Sequence, residues 1–257
     1  MAVTQKQKKR SPLRQKPLHN PGESLEGEIQ RLLEDRLLPP FVVAVVAIVL
    51  AVYEWWRWEA AQPPQPVVMA AVATVAVAWV AYVVAGLKKR MRSLRLGLDG
   101  EKTVGQFLEA NRKEGWYVLH DIPAVGFNVD HVLIAPQGVF VIETKTYSKP
   151  VRGDATAQFD GKRLLVNGFE PERNPITQAR AIRDWVANLL QETTAKRYPV
   201  KGVVVLPGWY VSGPKDRSDI WVLNNKALLQ FIERERCVVK DEDVALAYSR
   251  LSNYVVR

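Results

Sequence analysis

Two apolar stretches dominate the first third of the chain and limit what it can fold into. The first runs from about Leu37 to Trp56 and is charge-free from Phe41 to Tyr53; the second runs from Pro66 to Leu87. Each approaches the roughly 20 residues that a helix needs to cross the hydrocarbon core of a bilayer. Tyr53, Trp55, Trp56 and Trp58 gather at the end of the first stretch, where a membrane interface would favour them. The connector Arg57 to Gln65 is short and contains Pro63 and Pro64, so residues 37–87 read as a transmembrane helical hairpin. Basic residues flank the pair before the first stretch and after the second. By the positive-inside rule both termini are then cytoplasmic, in a two-span protein of the cell membrane. The competing reading is a buried helical pair in a soluble protein. A cleavable signal peptide is disfavoured, because the first stretch starts late and a second follows it.

The flanks account for the charge. Residues 1–17 carry Lys6, Lys8, Lys9, Arg10, Arg14 and Lys16 and no acid, and residues 88–95 carry Lys88, Lys89, Arg90, Arg92 and Arg95 and no acid. Those eleven cations exceed the net charge of +9 and leave −2 for the rest of the chain. The basic balance is therefore no evidence that the globular part binds nucleic acid. Residues 1–22, rich in Lys, Gln and Pro, read as a disordered basic tail. Residues 23–36 read as an amphipathic helix with Leu25, Ile29, Leu32 and Leu33 on one side. Residues 88–95 read as a basic juxtamembrane linker.

From residue 96 the pattern changes to short mixed elements, read as one domain over 96–231 with a C-terminal helical extension over 232–257. Asp99 to Asn111 predicts a helix, Trp116 to Asp121 a strand and Val129 to Lys145 a hairpin. Phe159 to Val166 predicts a further hairpin arm, turning at Asp160-Gly161, with Asn167-Gly168 as the next turn. Asn174 caps a helix with Pro175 in its first turn, Val200 to Leu206 is a buried strand, and Trp221 to Leu223 is another. Helices follow at Lys226 to Glu235 and Asp241 to Tyr254. A mixed sheet flanked by helices is an α/β or α+β fold.

The hairpin carries the chemistry. Pro136 and Gly138 suit a tight turn in Ala135-Pro136-Gln137-Gly138. If that turn closes the hairpin, Ile134 faces Val139, and counting outward along both strands brings Asp130 opposite Glu143. Directly opposed residues have Cβ atoms about 5 Å apart. Two like charges at that separation repel by about 3 kcal/mol at an effective dielectric of about 20. A divalent cation would turn that cost into binding energy, because hard cations take carboxylate oxygens. Lys145 shares a face with Glu143, where an ammonium could hold a water or steady a negative transition state. The bland alternative is a strand emerging into solvent with ordinary surface charges. Glu101 shares a helix face with Val104 and Leu108, either as a satisfied inward acid or as an acid favoured near a helix N-terminus. Gln178 begins a stripe with Ile182, Trp185 and Leu189, either as a polar group reaching the hairpin end or as a boundary glutamine.

Other chemistries are poorly supplied. The lone Cys237 forbids an internal disulfide or a cysteine cage. His19, His120 and His131 are too few and too scattered in sequence for a zinc site. There is no phosphate-binding glycine loop.

Glu101 in Asp-Gly-Glu-Lys, the run Asn128-Val-Asp-His-Val-Leu-Ile, the run Gly138-Val-Phe-Val-Ile-Glu-Thr-Lys and Pro175-Ile-Thr-Gln-Ala-Arg together resemble the NERD family, the nuclease-related domain, in order and spacing. The resemblance covers roughly Leu96 to Leu206, extending as far as Phe231. It implies a restriction-endonuclease-like, PD-(D/E)XK core, a mixed four-stranded sheet flanked by helices and here preceded by the transmembrane hairpin. It implies that Asp130 and Glu143 hold Mg²⁺ (or Mn²⁺), with the Thr144 carbonyl as an extra ligand and Glu101 completing the cation site. Lys145 then positions the attacking water, and Gln178 resembles a helix glutamine of the exonuclease-like branch. Ile182 stands where that branch has a tyrosine. The implied function is a membrane-anchored cytoplasmic nuclease acting on DNA or RNA. The alternative is a catalytically inactive, membrane-tethered module that binds nucleic acid or a protein.

Overall fold

The computed structural model describes residues 18–60, 66–149, 154–213 and 219–255. Most of the tail expected over 1–22, and the loop containing Pro63 and Pro64, lie outside the described residues. The chain divides into two compact units: Gly22–Lys102 with Thr146–Ser148, and Thr103–Lys145 with Lys149–Arg257 and the residues up to Pro21.

The first unit is built from α1 (Glu23–Glu59) and most of α2 (Pro66–Ala110). Both are long and apolar enough to cross a membrane. Phe41, Ile48, Val52, Val75 and Tyr82 are all more than 60% exposed. Apolar surface on that scale needs a partner other than water. Where the helices meet, Ala47, Leu50 and Ala51 of α1 stand against Met69, Val72 and Ala73 of α2, alanines alternating with larger apolar side chains.

Two boundaries expected from sequence are absent. Residues 23–36 do not form a separate amphipathic helix, because α1 carries on through Pro39 and Pro40. Those prolines remove the hydrogen bonds to the carbonyls of Asp35 and Arg36, and both residues are exposed to water that can replace them. Nor are residues 88–95 a linker. They are helical, and α2 continues to Ala110, since Lys, Arg, Leu and Met are good helix formers and no proline interrupts them.

The second unit is a sheet with helices on both faces. Its strands are β1 (Tyr117–Pro123), β2 (Asn128–Ala135), β3 (Gly138–Thr144), β4 (Thr156–Phe159), β5 (Leu164–Val166), β6 (Val200–Val205), β7 (Tyr210–Ser212) and β8 (Ile220–Leu223). Its helices are α3 (Pro175–Thr194), α4 (Asn225–Arg234) and α5 (Asp241–Val255). The main sheet has the order β1-β2-β3-β6-β8, antiparallel through β3 and parallel from β3 to β8. The implied mixed core is thus present, with five strands rather than four. A smaller sheet, β5-β4-β7, accompanies it. β7 has no counterpart in the sequence reading.

Val104 and Leu108 of α2 and Leu228 and Ile232 of α4 pack with Phe140 and Ile142 on one face. Ile182, Val186 and Leu190 of α3 and Val244, Ala247 and Leu251 of α5 pack with Val132, Val139 and Val141 on the other. Residues 232–257 are consequently part of this core rather than an extension of it. Asn174 caps α3 by accepting hydrogen bonds from the Ile176 and Thr177 N–H groups. Residues 18–21 are tied down too, contrary to a tail disordered to residue 22. His19 Nδ1 donates to the Asp121 carbonyl at 2.8 Å, and Pro21 closes on Gly105, where a side-chain carbon would have no room.

Candidate active site

The β2–β3 turn sets the register. Ala135 pairs with Gly138, Ile134 with Val139 and His131 with Ile142, where the observed pairing ends, one step before Asp130 and Glu143. Gly138 is required at the turn. Its φ is 143°, and a Cβ there would lie 2.8 Å from the Pro199 carbonyl oxygen. β6 then pairs parallel to β3, matching Glu143 with Val204 and Thr144 with Val205, which closes the other side of the motif strand.

Asp130, Glu143, Thr144 and Lys145 come together at this end of β3. The Thr144 N–H donates to Asp130 Oδ2 at 2.7 Å, and Lys145 Nζ donates to Glu143 Oε1 at 2.6 Å. Glu143 is 2% exposed, and the Lys145 side chain is 26% exposed. Burial pushes the Glu143 carboxyl above its ordinary pKa, against the opposing pull of the Lys145 charge. Glu143 Oε2 and Thr144 Oγ1 are buried and accept or donate no hydrogen bond among the described residues. A buried carboxylate oxygen without a partner is costly, and a hard cation would satisfy it. The donor set therefore fits Mg²⁺ or Mn²⁺ in kind. Among the described residues, however, no three His, Cys, Asp or Glu side chains converge into a group able to hold a metal ion. Glu101 lies half-buried on α2 in the other unit, and its ligand role rests on the resemblance alone.

Gln178 stands in the first turns of α3, which covers the sheet face that strand alternation gives to Val139, Val141 and Glu143. The carbonyl of its neighbour Ala179 approaches Gly202, the β6 partner of Val141. Gln178 makes no side-chain hydrogen bond to Asp130, Glu143 or Lys145.

Residues 96–207 match the family model of the nuclease-related domain, NERD. This segment is a NERD domain. Glu101, Asp130, Glu143, Lys145 and Gln178 all fall inside the match. An uncharacterized protein of Bacillus anthracis is 36% identical over 66 residues, covering 24% of this chain and 31% of the relative. The chain therefore spans about a third of that relative's length. No solved structure matches the chain.

The NERD sheet also holds a polar chain that the sequence reading missed. His120 and His131 are cross-strand partners in β1 and β2, with their Nδ1 atoms 2.9 Å apart. His120 Nε2 lies 3.2 Å from Glu109 Oε1. If that nitrogen donates to Glu109, His120 Nδ1 accepts and His131 Nδ1 carries the shared proton. Burial holds His120 below the usual imidazole range, although Glu109 favours its charged form. The pairing follows from continuing the β2 register onto β1.

Proposed function

We propose that this chain is a membrane-anchored nuclease whose NERD domain hydrolyses phosphodiester bonds of DNA or RNA on the cytoplasmic side, with Mg²⁺ or Mn²⁺ as cofactor. The observation that carries this reading is the cluster at the end of β3, where the Thr144 N–H holds Asp130 and the Lys145 ammonium pairs with Glu143. Asp130, Glu143 and the Thr144 carbonyl would hold the cation. Once bound, it would supply Lewis-acid polarisation of the phosphate and of a water. The Thr144 N–H fixes the rotation of the Asp130 carboxylate, so that group needs little reorganisation to bind. Lys145, released from Glu143, has three donors to direct at the attacking water or at the phosphate oxygen that gains charge. Gln178 is proposed to orient the water or the scissile phosphate from α3. The two apolar helices anchor the chain, with both termini cytoplasmic, and confine the site to nucleic acid near the membrane.

A second reading is a non-catalytic tethered module. Lys145 already neutralises Glu143 without a cation, which favours it. The two readings part on one assay: the full chain in detergent, incubated with labelled DNA and RNA in Mg²⁺, in Mn²⁺ and in EDTA. Cleavage that EDTA stops and that Asp130→Ala abolishes supports the nuclease. Binding that is indifferent to EDTA, without cleavage, supports the module.

A further inference from the structure

Between α1 and α2, where the apolar stretches give way to charge, lies a groove of about 600 Å³. Its apolar wall is formed by Leu33 and Leu37 of α1 and by Val84, Leu87, Met91 and Leu96 of α2. Lys88, Arg92 and Arg95 also line it, with Asp99 as the one acid. Their spacing of four and then three residues stacks the three cations along one helix face. Neighbouring cations are paired: Arg90 donates to Glu28 at 3.0 Å, and Lys102 to Glu26. Among the described residues no carboxylate forms an ion pair with Lys88, Arg92 or Arg95.

A solvated basic face would explain three exposed cations, but it would not explain why they share a groove with six apolar side chains. The occupant must be anionic at one end and apolar along its length. Free phosphate or a nucleic-acid backbone would leave the apolar wall wet, and a neutral acyl chain would leave the cations unmatched. Lys88 directly follows the charge-free stretch that ends at Leu87. The groove therefore stands at the depth where headgroups meet acyl chains, and basic pockets between helices on that side of a membrane suit anionic headgroups.

We propose that this groove binds one anionic phospholipid of the cytoplasmic leaflet, its phosphate at Lys88, Arg92 and Arg95 and its acyl chain along Leu33, Leu37 and Val84. The proposal rests on reading α1 and α2 as membrane spans and is independent of catalysis.

The test uses the full chain in a neutral detergent with equimolar phosphatidylglycerol and phosphatidylcholine, the retained lipids being counted by native mass spectrometry. Wild-type protein should retain one phosphatidylglycerol with about a tenfold preference. The triple variant K88Q/R92Q/R95Q should lose that preference, while Lys89→Gln, outside the groove but in the same segment, should keep it. Circular dichroism checks that the triple variant keeps its helix content. If the triple variant keeps the preference, or Lys89→Gln loses it equally, there is no site, only general surface charge. Displacement of the lipid by millimolar inorganic phosphate or by an oligonucleotide would reassign the cations to those ligands and overturn the proposal. Alkaline extraction of membranes separates the two layers of the argument. A chain that leaves with the soluble fraction removes the membrane reading and the lipid site together. A chain that stays in the membrane but shows no lipid preference removes only the site.

Discussion

The two units use the same side chains in opposite ways. In the sheet unit Val139, Val141 and Val203 are at most 1% exposed, whereas in the helical pair Ile48 and Val75 are 64% and 70% exposed. Valine and isoleucine are no less apolar in one unit than in the other, so on the proposed membrane reading the difference lies in the solvent each surface meets. The sheet makes its own apolar interior and can bury Glu143 at the cost of a shifted pKa. The helical pair is too small to make one and presents its apolar side chains outward, as a bilayer-embedded pair does.

The largest effects come from placing one carboxylate in each region. Val203→Asp puts an unpaired charge in the sheet interior and should destabilise that unit by several kcal/mol, read as loss of a cooperative melting transition. Ile48→Asp should leave that transition in place but weaken membrane integration by about 3 kcal/mol, read by alkaline extraction. If Ile48→Asp changes neither, the helices do not meet lipid and the contrast fails. Next in size is the motif itself. Asp130→Ala and Lys145→Ala should each lower metal-dependent cleavage about a hundredfold or more, measured as single-turnover rates on the folded protein, and Lys145→Ala should also lower the melting temperature because it leaves the buried Glu143 without its partner.

Much of the site was legible because it is local. A turn read at Pro136 and Gly138 fixes which residues oppose each other, and the observed pairing from Ala135–Gly138 to His131–Ile142 follows that count. The Asn174 cap was legible for the same reason, since it is written within a few residues; the expected α3 stripe was not, because the buried face runs through Ile176, Ala179, Ile182, Val186 and Leu190 and shares only Ile182 with it, leaving Gln178, Trp185 and Leu189 half-buried at its edge. What the sequence hid is set by distant partners. β7 has three residues and exists because Tyr210 to Ser212 pair in parallel with β4, more than 50 positions away in sequence. His120 and His131 look like isolated histidines until β1 is placed on β2. The segments read as an amphipathic helix and a linker failed for another reason: their polar composition interrupts the apolar pattern, but nothing in it ends a helix. α1 and α2 cross those interruptions without a break.

A subtler effect follows from the buried acid. Because burial raises the folded-state pKa of Glu143, the folded protein binds a proton there more tightly than the unfolded chain does. Stability should therefore fall as pH rises from the unfolded carboxylate value through the folded one. Glu143→Gln should melt higher than wild type at pH 8 without divalent cation, and the gap should close toward pH 4, measured by thermal unfolding across pH. A gap that grows on acidification would mean that the ion pair with Lys145 outweighs burial.

The smallest effect concerns surface cations, where the units differ again. In the sheet unit Arg180 and Arg183 share Asp219, which donor groups at 2.7 and 3.2 Å hold down to a pKa of about 2, the Arg180 hydrogen bond contributing most. The pair is about 45% exposed on both sides, so solvent screens it and Asp219→Asn should cost less than about 1 kcal/mol. That contribution is present above the ordinary carboxylate range and is lost as pH falls toward 2, so the variant and wild type should converge in acid. The basic face at Lys88, Arg92 and Arg95 shares its groove with Asp99, but among the described residues none of the three cations forms an ion pair that acid could break. Stability of the sheet unit should therefore respond weakly to Asp219→Asn and to added salt, whereas the groove cations should respond strongly to anionic lipid. A large stability loss in Asp219→Asn would show that Arg180 and Arg183 are held in place for more than surface charge balance.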